Sequence, residues 1–409
     1  MKFFQVKSVE ETFNLIREQI QPITETIKIP LYDALHYVLA EDLVALENVP
    51  DFRRSTVDGY AVKASETFGV TESLPGFLHL VGEVQMGKVP SSSLQSGEAM
   101  YVPTGGMLPE GSNAVVMIEH CEDMSGLLNI FRQVAPGENV ISVGEDMEKG
   151  HILLEKGTKL RSQELGALAS QGIIEVSVYR KPVIGYLSSG DEIVPIEAAK
   201  LSLGEVRDMN GMTIGALVKG WGFTFQYGGI VQDSREEFEQ RAKELLAKVD
   251  CLIVSGGSSV GTKDYSVEVI QSLGEPGVFV HGVAIKPGKP TILSSAGNKP
   301  VIGLPGHPAS AVIIFHLFGK AILEQLNGLP YEERRLTFAK VTKNIPSSPG
   351  RTDYVRVRLF NENNEWHAEP IFGKSGLIST LVKSEGMVEI AARSEGVQKG
   401  ELVPVIIFQ

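Results

Sequence analysis

The chain has 409 residues, with 50 Asp and Glu against 38 Lys and Arg, so its formal net charge is −12. This acidic balance excludes nucleic acid and an anionic membrane as the expected main partners. The length exceeds one ordinary hydrophobic core, so we expect two to four domains. The two cysteines, Cys121 and Cys251, cannot form a disulfide framework or a thiolate metal site, which fits a reducing compartment such as the cytoplasm.

In the first 172 residues, the sequence pattern changes from helical to β and back to helical. Ser8 and Glu11 form a capping-box pattern before apolar residues at helical spacing, and the N-terminus lacks the apolar stretch of a signal peptide. A second short helix is predicted at 31–40. From 46 to 140, short β-branched runs alternate with Gly/Pro turns, which indicates an inserted β domain. A further helix is predicted at 161–171.

Residues 173–328 alternate between strand and helix patterns, which predicts a parallel sheet flanked by helices. In such sheets, ligands bind beyond the carboxyl ends of the strands. The most apolar stretch, 309–326, contains charged residues and is predicted to be a core helix rather than a membrane span. The last segment, 329–409, has the pattern of a small β domain. The predicted strands are 182–187, 223–231, 250–254, 278–284 and 300–304, and the helices are 209–220, 234–248, 264–273 and 307–326.

The stretch Cys251–Tyr265 has the strongest functional signal. An apolar strand runs into Ser255-Gly256-Gly257-Ser258-Ser259-Val260-Gly261, and Asp264 follows. Glycines let backbone N–H groups approach a phosphate, and a carboxylate beside a phosphate requires an intervening cation. The pattern therefore suggests a site for phosphate and Mg²⁺. A plain tight turn is the alternative.

Acidic residues follow several predicted strands. Asp191, Glu192, Asp233 and Asp264 could supply the hard oxygen ligands that suit Mg²⁺. Each could instead be a helix N-cap. None of the eight histidines pairs at zinc spacing. His307, in a glycine-rich loop, is interpreted as an N-cap substitute rather than a base.

Positive charge concentrates between residues 281 and 300, where Lys286, Lys289 and Lys299 occur without any acid. Prolines stiffen the loop Ile285–Pro290, so its two lysines suit a multiply charged oxyanion. Arg351 and Ser375 could also contact an oxyanion. The alternatives are a solvated turn and a structural Arg–Asp pair.

Several motifs follow one another along the chain: Ser55–Val62, Pro103–Gly106 with Pro109–Gly111, Gly144–Asp146, Ser189–Glu192, Ser255–Gly261, Ile285–Pro290, Leu304–Gly306 and Gly373–Gly376. In this order they resemble the molybdopterin molybdenumtransferase family, which includes the MoeA proteins and the E domain of gephyrin. The resemblance covers nearly the whole chain, and six or more motifs in family order are highly specific.

The resemblance implies a multidomain α/β plus β fold, namely the four-part MoeA-like subunit. Its parts would be a helical linker domain (1–45 and 141–172), an inserted β domain (46–140), a molybdopterin-binding α/β domain (173–328) and a C-terminal β-barrel-like domain (329–409). It further implies a homodimer that inserts molybdate into adenylylated molybdopterin, releasing AMP, with Mg²⁺ as cofactor. The competing interpretations are a molybdopterin adenylyltransferase-like enzyme and a non-catalytic, gephyrin-like scaffold.

Carried over residue by residue, the resemblance also assigns the site. His307 and Ser258 depart from the family pattern, which usually has Asn and Val or Ile there, and Ser189 replaces a common Thr. The expected catalytic residues are Asp58, Thr104, Glu192, Asp233, Asp264, Lys286, Lys289, Arg351 and Ser375. The expected cofactor-binding residues are Ser255, Gly256, Gly257, Ser258, Ser259, Gly261, Pro305 and Gly306, and the expected metal ligands are Asp233 and Asp264.

Overall fold

The computed structural model describes residues 6–256, 266–329 and 336–408. The chain divides into two compact units, one formed by residues 28–35 and 39–176 and the other by 1–27, 36–38 and 177–409. We call the first the insert unit and the second the main unit.

The insert unit is built on a six-stranded sheet in the order β7-β4-β6-β5-β9-β8. The sheet packs on a core that includes Val62, Leu78, Val116 and Leu128. The first helix of the chain, α1 (Val9–Gln19), belongs to the main unit, and the elements that follow it here extend to residue 179. They are β1 (Thr26–Pro30), β2 (Leu43–Val44), β3 (Arg54–Ser55), β4 (Gly59–Val62), β5 (Gly76–Glu83), β6 (Glu98–Val102), β7 (Ala114–Met117), β8 (Cys121–Asp123), β9 (Leu127–Ile130), β10 (Val140–Ile141), β11 (Ile152–Leu154), α2 (Ser162–Ser170) and β12 (Glu175–Tyr179).

The first half of the main unit is an α/β sandwich. Its six-stranded sheet has the order β16-β13-β17-β21-β20-β18, and the pairings among β16, β13, β17 and β21 are parallel. Helices pack on both faces, with α1, α3 and α6 to α7 on one core and α4 and α5 on the other. The elements are β13 (Val183–Ser189), β14 (Ile193–Val194), β15 (Val206–Arg207), α3 (Met209–Gly220), β16 (Thr224–Val231), α4 (Arg235–Leu246), β17 (Cys251–Ser255), α5 (Ser266–Ser272), β18 (Pro276–His281), β19 (Ile285–Lys286), β20 (Ile292–Ala296), β21 (Lys299–Leu304), α6 (Pro308–Ile314) and α7 (Lys320–Leu326).

The second half of the main unit is a closed β-barrel. Its ring runs β24-β25-β22-β28-β26 and returns to β24, and β19 joins it as a sixth strand, parallel to β24. The elements are β22 (Leu336–Val341), β23 (Ile345–Pro346), β24 (Thr352–Glu362), β25 (Glu365–Pro370), α8 (Ser379–Val382), β26 (Gly386–Ile390), β27 (Gly396–Val397) and β28 (Leu402–Ile407).

One helix in the described part of the chain, Pro308–Leu326, is long and apolar enough to cross a membrane. It runs from α6 to α7 through a π-helical turn at Phe315–Gly319. Its most apolar window is 83% buried inside the protein. Because its neighbours are other core residues, including Trp221 stacked on Phe315, we interpret it as a core helix.

The predicted fold class is confirmed, with corrections to local elements. The predicted helix 31–40 is wrong: only a 3₁₀ turn at Leu31–Asp33 forms. His36 has a φ of +65°, and the N–H of Leu39 donates to the carbonyl of Thr158, so this segment pairs with distant backbone instead. The α/β sheet is mixed rather than wholly parallel, because β20, which the sequence analysis missed, runs antiparallel to β21 and β18.

Candidate functional site

The strand ends of the α/β sheet meet at one edge. Ser188 is in register with Ser255, and Ser255 with Leu304, so β13, β17 and β21 end side by side. This is the edge at which parallel sheets bind ligands. We call it the strand-end edge.

Gly256 lets backbone segments come close together at this edge, and Gly306 lies beside it. Gly256 has a φ of +110°, and a Cβ there would overlap the carbonyl oxygen of Ser189. A Cβ at Gly306 would lie 4.0 Å from the Cα of Gly256. The amide of Asn210 joins the same segments, since its Nδ2 donates to Ser255 Oγ at 3.0 Å and to the carbonyl of Gly306 at 2.8 Å. The predicted residues Ser255, Gly256 and Gly306 therefore lie together, and Pro305 is buried beside Gly306.

Beneath this edge lies a buried carboxylate, Asp208, which is only 4% exposed. It caps α3 by accepting from the N–H of Gly211 at 2.9 Å, and it accepts from the hydroxyls of Ser188 and Tyr227, each at 2.7 Å. Burial and the neighbouring Asp208 raise the pKa of Tyr227, so its hydroxyl keeps the proton that it donates. Three neutral donors thus satisfy the hydrogen-bonding capacity of the Asp208 carboxylate. These bonds connect β13, β16 and the start of α3 next to the strand-end edge.

The exposed acids of the edge lie at adjacent strand ends. Asp191 follows β13 and accepts from the N–H of Asp233 at 2.9 Å, while Asp233 Oδ1 lies 3.4 Å from Ser189 Oγ. Glu192 is also exposed, in the loop after Gly190. Within the described ranges, no group of three or more His, Cys, Asp or Glu residues is placed to hold a metal.

A cavity of about 610 Å³ lies beside the barrel and brings four predicted residues together. Lys286 and Lys289 come from the stiff loop around β19, Arg351 precedes β24, and Ser375 follows β25. Lys374 also lines the cavity. The wall is therefore rich in cations and hydroxyl or amide donors, which suits an oxyanion.

Two buried charged residues also line this cavity: Asp353, which forms the structural Arg–Asp pair named as the alternative for Arg351, and Arg356, which the sequence did not single out. Asp353, 2% exposed, lies 2.9 Å from Arg351 Nε and 3.7 Å from Lys286 Nζ. Arg356 is 6% exposed; its Nη2 donates to the carbonyl of Gly373 at 3.1 Å, and among the described residues its Nε has no hydrogen-bond partner. Burial lowers the pKa of Arg356. A buried guanidinium donor without a partner indicates a place where an anion can bind.

In the insert unit, Asp58 and Thr104 contact each other directly. Asp58 Oδ1 accepts from the N–H of Thr104 at 2.7 Å and from its hydroxyl at 3.0 Å. Both residues are exposed.

Comparisons with known proteins indicate the same family over nearly the whole chain. Three family profiles match: "MoeA N-terminal region (domain I and II)" at residues 7–172, "Probable molybdopterin binding domain" at 185–325 and "MoeA C-terminal region (domain IV)" at 339–408. A molybdopterin molybdenumtransferase of Bacillus subtilis is 32% identical over 392 residues, covering 94% of this chain and 90% of the relative. The chain belongs to the MoeA family.

Other relatives give the same result. A molybdopterin molybdenumtransferase of Haemophilus influenzae is 32% identical over 405 residues, which is 98% of each chain. The crystal structure of a molybdopterin biosynthesis MoeA protein from Pyrococcus horikoshii OT3 matches at 30% identity with a TM-score of 0.85, covering 99% of this chain and all of that one.

The structure of this MoeA chain divides the predicted residues into three places. Ser255, Gly256, Pro305, Gly306, Glu192 and Asp233 lie at the strand-end edge, whereas Lys286, Lys289, Arg351 and Ser375 line the cavity. Asp58 and Thr104 form the pair in the insert unit. Gly257, Ser258, Ser259, Gly261 and Asp264 lie outside the described residues, so their assignments stay predictions.

His307 connects the two places in the main unit. It occupies the N-cap position of α6, as predicted, but its side chain makes no capping hydrogen bond. Its Nδ1 instead lies 3.0 Å from Ser375 Oγ, and the N–H of Ala309 donates to the carbonyl of Ser375. His307 therefore links the segment after β21 to the cavity residue Ser375.

Three residues with a role in the site went unrecognised: Asp208, Asn210 and Arg356. Asp208 carried a signal, since it directly precedes the predicted helix 209–220 and Asp is a favoured N-cap. Arg356 lies in a strand pattern, where nothing local distinguishes a buried charge from a solvated one.

Proposed function

We infer that this protein is a molybdopterin molybdenumtransferase, which inserts molybdate into adenylylated molybdopterin and releases AMP. The observation that supports this most is the cavity that gathers Lys286, Lys289, Arg351 and Ser375. Several cations and a hydroxyl around one space suit a tetrahedral oxyanion. The family membership supplies the substrate class.

In this proposal, the strand-end edge binds the phosphate side of the substrate. The N–H groups beside Gly256 and Gly306 can approach a phosphate closely because neither residue has a side chain. Asn210 fixes the spacing of these two segments through its bonds to Ser255 and Gly306. Breaking a phosphoryl bond depends on positioning and charge stabilisation more than on a protein nucleophile.

We further propose Mg²⁺ as the cofactor, held by Asp233 with Asp264. The donor chemistry fits, because Asp233 and the neighbouring Asp191 present exposed carboxylates at adjacent strand ends. Mg²⁺ commonly takes only one or two carboxylates and completes its shell with water and substrate phosphate. When bound, the ion would polarise the phosphoryl oxygens.

In the cavity, the cations of Lys286, Lys289 and Arg351 would hold molybdate by charge-assisted hydrogen bonds. The buried Arg356 can add its free Nε–H donor to this wall. Ser375 can donate its hydroxyl to the oxyanion if His307 Nδ1 acts as donor to Ser375 Oγ in their 3.0 Å contact. Together they would orient the oxyanion for transfer.

The direct test is AMP release from purified adenylylated molybdopterin, followed by chromatography with and without molybdate. We expect fast release only when molybdate and Mg²⁺ are both present. Asp264→Asn should abolish release, because it removes one proposed metal ligand while changing the side-chain volume little. Lys343→Ala, an exposed lysine paired with Glu369 on the barrel, is the matched control and should behave as wild type.

Three other outcomes would contradict the proposal. Consumption of ATP to adenylylate molybdopterin would identify an adenylyltransferase. No turnover at all would favour a scaffold. Normal turnover of Asp264→Asn would remove Asp264 from the metal site.

We also propose that the protein is a cytoplasmic homodimer. The family resemblance and the reducing compartment indicated by two free cysteines support this. Sedimentation equilibrium should give twice the chain mass of 44.4 kDa. A single species at the chain mass would contradict it.

A further inference from the structure

Two cations of the cavity, Lys286 and Arg351, share one buried anion. Asp353 has a side chain only 3% exposed, whereas its partners Lys286 and Arg351 are 61% and 39% exposed. Lys286 and Asp353 are also direct register partners across the β19–β24 pair. Both long side chains are therefore tied at one point to a rigid strand.

The two carboxylate oxygens of Asp353 contact different cations. Oδ1 accepts the Nε–H of Arg351 at 2.9 Å, while Oδ2 lies 3.7 Å from Lys286 Nζ. The Nε contact leaves the terminal guanidinium nitrogens of Arg351 as donors for a ligand. Burying a carboxylate costs free energy unless cations or hydrogen-bond donors compensate its charge. Moving Lys286 or Arg351 away from Asp353 is therefore unfavourable.

Long exposed side chains normally lose considerable rotamer entropy when they bind a ligand. Tying them to a buried carboxylate reduces this loss and fixes the spacing between the cations. A fixed spacing favours an oxyanion of one size over another of the same charge and shape.

We propose that Asp353 is a positioning residue that sets which tetrahedral oxyanion the cavity prefers. It acts through Lys286 and Arg351 and selects the larger molybdate over the smaller sulfate. This inference rests on the proposed function, because that proposal places molybdate in this cavity.

The test compares the dissociation constants of sodium molybdate and sodium sulfate for the full chain by calorimetry at neutral pH. Both are unprotonated dianions there, so size is the main difference. Asp353→Asn keeps the shape of the side chain and removes its charge. We expect the preference for molybdate to fall about tenfold, the usual effect of losing one charge-assisted contact.

Arg351→Lys tests the contact between Arg351 and Asp353 without changing a buried residue. It keeps the cavity charge but loses the Nε–H donor to Asp353, so we expect a similar fall in preference. Because Asp353→Asn already breaks the contact that Arg351→Lys removes, the double variant should lose little more than Asp353→Asn alone. Glu365→Gln, which removes an exposed acid elsewhere on the barrel, is the charge control and should keep the wild-type preference.

The outcomes separate the two proposals. An unchanged preference in folded Asp353→Asn or in Arg351→Lys overturns the role of Asp353 alone. Additive losses in the double variant overturn it too, because the residues would then act independently. A wild-type protein that binds neither anion, yet releases AMP in response to molybdate, overturns the placement of the oxyanion. Binding of neither anion without AMP release overturns the proposed function as well.

Discussion

Two buried aspartates of the main unit, Asp208 and Asp353, have hydrogen-bond and ion-pair partners of different kinds. Asp208 is surrounded by neutral donors, namely a backbone N–H and the hydroxyls of Ser188 and Tyr227. Asp353 is paired with two cations whose ends remain exposed. The first arrangement fixes the protein to itself, whereas the second holds groups ready for a ligand. The comparison suggests that a buried carboxylate indicates function when its partners are cations whose ends are exposed, and stability when its partners are neutral donors.

The largest effect that tests this comparison is on stability. Asp208→Ala removes a helix cap and leaves the buried hydroxyl of Ser188 and the partly buried hydroxyl of Tyr227 without their acceptor, so we expect a loss of about 3 kcal/mol in the free energy of unfolding. Urea titration followed by tryptophan fluorescence measures it, because Trp221 is the C-cap of the same helix. The exposed Asp233→Asn is the control and should change stability by less than about 0.5 kcal/mol. Equal losses in both variants would contradict the structural role of Asp208.

The second prediction concerns the partners of Asp353. Lys286→Ala and Arg351→Ala should raise the molybdate concentration needed for AMP release by about ten- to a hundredfold, since each removes a contact of about 1.5–3 kcal/mol. Binding of the adenylylated substrate should weaken much less. Titrations of both ligands check this, with Lys343→Ala as control. Similar losses for the two ligands would place the cations elsewhere in the reaction.

The smallest effect is expected at His307, which lies between the two regions. His307→Asn restores the residue usual in the family, and Asn is a favoured N-cap. Because the imidazole makes no capping hydrogen bond, we expect turnover within about threefold of wild type and a stability change within about 0.5 kcal/mol. A hundredfold slower release of AMP would instead make His307 a catalytic residue.

Local signals explain which elements the sequence predicted well. Helix α3 matches the predicted 209–220, and the capping box at Ser8 and Glu11 forms both of its hydrogen bonds. Strand β20 was missed because Ile292–Ala296 is short and ends in small residues. The antiparallel hairpin that it forms with β21 depends on partners that periodicity does not reveal.

The site was predictable to the extent that its residues carry charge or glycine in an unusual run. Lys286 and Lys289 stood out in an acidic chain, and their neighbourhood with Arg351 and Ser375 came from the family resemblance. The partners of Asp208 were not predictable, because Tyr227 lies 19 residues away and contacts it only once β16 pairs with β13. Buried charges in strands, such as Arg356, need the fold before they can be recognised.

The position of the short strand β19 determines where the barrel can be separated from the rest of the chain. It lies in sequence within the α/β half but contributes backbone to the barrel, where Ile285 pairs with Thr352. A barrel expressed alone from residue 336 would expose one flank of β24 at this point, and uncovered strand edges promote aggregation. Exchange of barrels between relatives, by recombination or in the laboratory, should succeed only when the loop 285–290 travels with its own barrel.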